Sequence, residues 1–256
     1  MAFFKKMAAS IGIGSAKVDT KIEKTAYNAG DQIKGEVEIY GGNVEQQINA
    51  IYLTLYTTYI KEVDDNKYTA NAPIQKYKVS DPFIINANET KIIPFSFIIP
   101  LDVPITLGKT KVWVATELDI RSGVDSGDKD YIDIQPSEIA SRVLDEVQQL
   151  GFNLRKVECE QASYKYRGNY PFIQEFEFVP TSGAFRGRLD ELEIVFLSQS
   201  QNQVEILIQV DRKARGFGGF LAEALDADET HVRMSITQHD LNTFGEQLKQ
   251  VISRYS

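Results

Sequence analysis

Histidine and cysteine are nearly absent: two of the first and one of the second in 256 residues. The lone Cys159 excludes an intrachain disulfide and fits a reducing compartment. With no CxxC and so little imidazole, a Cys/His zinc site is excluded too. General bases are equally scarce. Only His231 and His239 could serve a hydrolytic triad, and no GxSxG accompanies them. No apolar run approaches the roughly 18 residues that a membrane-spanning helix needs. The opening MAFFKKMAASIGIGSA puts its lysines after Phe3 and Phe4, and its apolar stretch is short. That makes a poor signal peptide, so the expected location is the cytoplasm. Basic charge is also in the minority, with 28 Lys and Arg against 36 Asp and Glu and a net charge of −8. Such a chain repels phosphate, and no nucleic-acid partner is expected.

What the chain has in quantity is alternation. Hydrophobic residues make up 43% and charged residues 25%, ordinary values for a chain that buries a core. Ile33, Val37 and Ile39 share one face with Gly35. Ile51, Leu53 and Leu55 alternate with Tyr52, Thr54 and Tyr56. Ile93, Phe95, Phe97 and Ile99 form the next face, bounded by Pro100 and Pro104. Val112, Val114, Leu118 and Ile120 alternate with Trp113, Glu117 and Asp119, and the stretch RSGVDSGDKD reads as a turn before a short closing strand at Tyr131–Gln135. Period two over so many short runs predicts half-buried strands.

Beyond Pro136 the period changes. Ser137 is placed to cap a helix carrying Ile139, Val143, Val147 and Leu150, and Gly151 to stop it. Strands resume at Val157–Tyr166, Phe172–Phe178 and Leu192–Ser198, followed by returns through Val204–Val210 and Val232–Ile236. Asp240 is read as the cap of a terminal helix, with Leu241, Phe244, Leu248, Val251 and Ile252 on one stripe. The fold class expected is all-β: two tandem β-sandwiches, residues 1–135 and 136–256, with short helices at the N-terminus, after the boundary and at the C-terminus.

A search for chemistry returns little. The acidic run Asp125–Asp130 lacks the ligand alternation of a calcium loop and reads as a solvated hairpin. DADETH, with Asp226, Asp228, Glu229 and His231, is dense in donors but splays them along a strand. RGFGGF at Arg215–Phe220 has neither phosphate-loop spacing nor α/β surroundings. Cys159 sits among glutamates, which oppose a reactive thiolate. No catalytic residue, metal or cofactor is assigned, and no enzyme is expected. Arg212, Lys213 and Arg215 form a basic cluster suited to an acidic protein partner. Phe4, Met7, Ala8 and Ile11 lie on one face of a short amphipathic helix, which is weighted towards docking on protein over lying on a membrane.

The run Tyr27-Asn-Ala-Gly30-Asp-Gln-Ile-Lys-Gly35-Glu-Val-Glu-Ile, then Pro94-Phe-Ser-Phe97 with Pro100 and Pro104, then Val112-Trp-Val-Ala-Thr-Glu-Leu, resembles an arrestin N-domain. The stretches ASIGIGSAKVDT, VLDEVQQLGFNLRKVECE and DRKARGFGGFLAEALDADETHVR resemble the sporulation-control family of bacilli, over nearly all of the chain. That resemblance implies two arrestin-like domains and a cytoplasmic, non-enzymatic role restraining sporulation. Animal arrestins hold their domains with buried ion pairs at the junction. The motif does not map here residue by residue, and Asp119, Asp133 and Arg155 near the boundary are the candidates for such a role.

The expected mode of action is a protein-interaction scaffold working through sheet edges. Phe4, Met7, Leu241, Phe244, Leu248, Val251, Arg212, Lys213 and Arg215 are the candidate contact residues. The partners would be other proteins, with a homodimer through the C-terminal stripe among them. The alternatives are a peripheral membrane adaptor using the N-terminal helix, and a ligand- or metal-binding protein.

Overall fold

The computed structural model describes residues 14–64, 66–121, 123–211 and 231–254. They form two compact units. The first holds the described residues up to Thr57 together with Pro73–Pro100 and Lys111–Ile134; the second holds Thr58–Ala72, Leu101–Thr110 and the described residues from Gln135 on.

In the first unit, β1 (Lys17–Ile22), β3 (Gln32–Tyr40) and β7 (Thr90–Ile98) form a three-stranded antiparallel sheet in the order β1-β3-β7. Its second sheet is built on β4 (Gln46–Val63), flanked by β8 (Val112–Ile120), β9 (Ser126–Gln135) and β2 (Ala26–Asn28). The strands β5 (Asn66–Lys78) and β6 (Phe83–Ile85) also pair with β4. The alternating residues read from the sequence supply the core: Ile33, Val37, Ile39, Ile51, Leu53, Leu55, Phe95, Phe97, Val114 and Leu118 are all buried.

Three local readings change here. Trp113, assigned to the outer face, is buried because Tyr56 stacks on it, Tyr131 tilts against it and the Lys129 ammonium lies 3.9 Å from its ring centroid. The acidic run expected as a hairpin loop is strand from Ser126 onward. Its Asp128 accepts the Thr20 amide at 2.7 Å, and Asp125 closes the turn by accepting the Ile120 amide at 2.9 Å. Finally, β1 was hidden because its inward Thr20 is polar. Its hydroxyl meets that of Thr116 at 2.6 Å, so the core face carries a satisfied pair where an apolar pattern would have been visible.

In the second unit, β10 (Phe152–Gln161), β11 (Phe172–Pro180), β12 (Glu191–Gln199), β13 (Gln203–Asp211) and β14 (His231–Thr237) run antiparallel in sequence order, and β10 pairs in parallel with β4 at Glu160 and Ile60. Two helices cover the inner face of this sheet, α1 (Glu138–Gln149) and α2 (Phe244–Arg254). Helix α1 starts and stops where the sequence placed it. Ser137 Oγ accepts the Ala140 amide, and Gly151 takes φ +94°, the left-handed region that glycine tolerates best. A side chain at Gly151 would also meet the Ser182 carbonyl, with Cβ only 2.4 Å from the oxygen.

The terminal helix begins later than expected. Asp240 opens a short 3-10 turn, and its carboxylate accepts the amide and hydroxyl of Thr237, which ties the turn back to β14. Gln247 then donates to the Thr243 carbonyl, which places the true entrance of α2 at Thr243. The strand read at Leu192–Ser198 is not a sheet edge, because β12 lies between β11 and β13. β10 is paired along its length with β11, and on its other side it meets β4 only at Glu160 and Ile60. The β10 reading slipped because its register shifts between Leu154 and Lys156, which leaves Arg155 as an extra residue and breaks the period of two.

Candidate functional site

The sequence places Phe176, Phe178, Leu192, Ile194, Ile206 and Ile208 on the helix-covered face of the second sheet. By alternation, the opposite face receives Lys156, Glu158 and Glu160 from β10, Glu175 and Glu177 from β11, Glu191, Glu193 and Val195 from β12, and Leu207 and Gln209 from β13. This outer face is acidic, yet it is not uniformly wet. A small cluster of Ala162, Ile173, Val195 and Leu207 with Tyr166 sits on it.

Its charges fall into groups. Arg155, freed by the bulge, bridges Glu177 and Glu191. Lys156 lies 2.8 Å from Glu158 and 3.7 Å from Glu160. Glu158 is held below the usual carboxylate range by Lys156 and Lys109, which outweigh its desolvation. Glu175 and Glu193 are different. Burial, then the neighbouring carboxylates, push both well above the usual range: Glu160 chiefly for Glu175, and Glu175 itself chiefly for Glu193. Among the described residues, Oε2 of each and Oε1 of Gln209 have no hydrogen-bond partner, although Glu193 and Gln209 are each only 7% exposed.

Other features are poorer candidates. A cleft of about 220 Å³ in the second unit lies beside Asp102, whose carboxylate is taken by Tyr170 at 2.8 Å and Asn169 at 3.0 Å. It is smaller than the roughly 300 Å³ where small-molecule pockets begin. An open hollow of about 440 Å³ in the first unit is walled by Lys21, Lys34, Glu36 and Phe95. Among the described residues, no group of three or more His, Cys, Asp or Glu side chains is arranged to hold a metal ion. None of the helices among them is long and apolar enough to cross a membrane.

Cys159 faces inward beside Thr110, with sulfur and hydroxyl 3.7 Å apart, and burial pushes its thiol up to about 12. The native protein is therefore expected to resist a thiol-specific disulfide reagent at pH 8 and to react with one equivalent after denaturation. Rapid native labelling at absorbance-detected stoichiometry would show an accessible thiolate instead.

The junction candidates find partners within their own units. Half-buried Asp119 accepts from Asn49 at 3.1 Å, exposed Asp133 donates its backbone amide to Thr25, and Arg155 holds Glu177 and Glu191. Phe244 and Leu248 are fully buried with Ile252 in the core of the second unit, and Leu241 and Val251 pack half-buried against it. The stripe read as a contact surface is thus covered by the chain's own sheet and α1, because its apolar residues complete that core. Phe4, Met7, Arg212, Lys213 and Arg215 lie outside the described residues, as do Asp226, Asp228, Glu229 and the RGFGGF stretch. The unpartnered carboxylates were missed in the sequence. The signal was there as Glu-x-Glu on two strands, but which glutamates oppose one another depends on a register that only pairing reveals.

A profile of the Spo0M family, described as SpoOM protein, matches residues 4–214. The sporulation-control protein Spo0M of Bacillus subtilis (strain 168) is 43% identical over 259 residues, covering all of both chains. The crystal structure of the Bacillus subtilis protein superposes with a TM-score of 0.88 at 42% identity, over 95% of this chain and all of that one. A match of this extent in sequence and in fold is that of a full-length relative: the chain belongs to the Spo0M family.

Proposed function

We propose that the protein is a non-enzymatic regulator of sporulation that works in the cytoplasm as a protein-interaction scaffold. The observation that carries this reading is the full-length 43% identity to a protein named for sporulation control. The surfaces described above are consistent with a scaffold: the cleft beside Asp102 is small, the one cysteine is buried, and one sheet face of the second unit carries unpartnered polar side chains. The division at residues 135 and 136 is proposed as the functional boundary, with residues 58–72 and 101–110 packing in the second unit. A homodimer remains part of the proposal, but without the buried residues of α2 as its interface.

The test is exchange in the living cell. Replacing the Bacillus subtilis relative with this chain is expected to restore the normal sporulation frequency of a strain that lacks it, and the tagged chain is expected to recover defined protein partners from sporulating cells. A chain that is expressed and folded but leaves the mutant frequency unchanged would sink the regulatory reading. Restoration without any recovered partner would sink the scaffold.

A further inference from the structure

We propose that the outer face of the second unit's sheet docks an arginine side chain from a basic segment of a partner protein, held between Glu175 and Glu193. The proposal rests on the scaffold reading and gives the partner its chemistry. Strand register supplies the argument. Glu177 lies opposite Glu193, and Glu175 opposite Val195. Glu191 is therefore two residues from the position facing Glu177, and Glu193 is two residues from the position facing Glu175. The two carboxylate pairs are the same diagonal of the sheet, repeated one pleat along.

Arg155 occupies the first diagonal by spanning Glu177 and Glu191. On the second, Lys156 acts on Glu175 only from a distance, its ion pairs going to Glu158 and Glu160, and one oxygen of each carboxylate is buried without a hydrogen-bond partner. Gln209, directly opposite Glu193, adds a third unmatched acceptor. Burial and the neighbouring carboxylates keep a proton on Glu193 in the free protein, and a docked guanidinium would take that proton's place as a charged donor. A guanidinium fits better than an ammonium: it is planar and presents donors along two edges, which is how Arg155 bridges its own pair.

The test uses the full-length protein and a fluorescein-labelled peptide of alternating glycine and arginine, read by anisotropy at physiological salt, with the lysine version beside it. The double substitution Glu175→Gln and Glu193→Gln is expected to weaken arginine-peptide binding about tenfold or more. Exposed Glu36→Gln with Glu62→Gln, the same change in net charge, should leave it unaltered, and the lysine peptide should bind more weakly throughout. Single Glu193→Gln, which keeps the side-chain shape, serves as the second variant, and melting curves verify that each folds. Three binding results would overturn the proposal: no binding to the native protein, an equal loss in the exposed control, or tighter binding when Arg212, Lys213 and Arg215 become alanine. The last would assign the site to the chain's own basic run. Sporulation control that survives intact in the double variant while peptide binding is lost would also overturn it and leave the regulatory reading standing.

Discussion

Replacing Phe244 by alanine is expected to cost about 4 kcal/mol of stability and to lower the melting temperature by roughly 10 °C or more. Phe244 is fully buried on α2, in one core with Leu248, Ile252, the apolar face of α1 and the inner residues of β11 to β14. Truncation removes most of an aromatic side chain from a place where rigid strands leave little room to collapse. Val251→Ala, at the half-buried margin of the same helix, should cost about 1 kcal/mol. Calorimetry over a hundredfold range of protein concentration checks both the size and the location of the effect. A loss independent of concentration places the helix on its own unit. A loss that grows with dilution would mean that two copies share the stripe, and coincident melts of variant and native protein would mean that Phe244 is not packed at all.

Glu193→Gln is expected to do the opposite and stabilise the protein, but only above acidic pH. Burial and neighbouring carboxylates raise the folded pKa of Glu193 from an ordinary 4.5 to beyond neutrality. The folded state thus keeps a proton that the unfolded chain releases above about pH 4.5. The stability this proton contributes is fully present below the unfolded value and is lost as pH rises through the folded one. Glutamine has no proton to lose. At pH 4 the variant and native protein should melt together; at pH 8.5 the variant should melt roughly 5 °C or more higher, because only the native fold must then hold a proton that the unfolded chain has released. Native and variant curves that stay parallel across this range would show that Glu193 is solvated or already paired.

Elements whose boundaries are written in local chemistry were legible without the structure. Ser137 and Gly151 bracket α1 because a cap and a left-handed stop are properties of single residues. The apolar faces of β3, β4 and β8 were equally plain, since period two is visible wherever the inward residues are all apolar. Legibility failed where tertiary partners change the meaning of a residue. Thr20 counts as core only because Thr116 satisfies it, Trp113 is buried only because aromatic and lysine neighbours cover it, and Asp128 becomes a strand residue only because β1 offers it an amide. β5 is mostly polar and buries only Ala72 and Ile74 among its apolar residues, so no alternation announces it. The acidic face is the extreme case. Each glutamate taken alone is an ordinary outward strand residue, and the unmatched diagonal exists only in the pairing of β11 with β12.

The bulge at Arg155 has a consequence for how this surface can change over generations. Leu154 pairs with Phe178 and Lys156 with Glu177, consecutive positions on β11. Arg155 is therefore supernumerary: excising its codon would join two stretches already in step, leaving Phe152 and Val157 facing the core as before. Anywhere else in this strand a one-residue deletion inverts every side chain on one side of it. Here it would remove the bulge and the guanidinium that bridges Glu177 and Glu191, and would leave the inward residues of the strand in place. The charge of the face and the architecture beneath it are thus separately heritable, and lineages are free to retune what the surface attracts without renegotiating the fold.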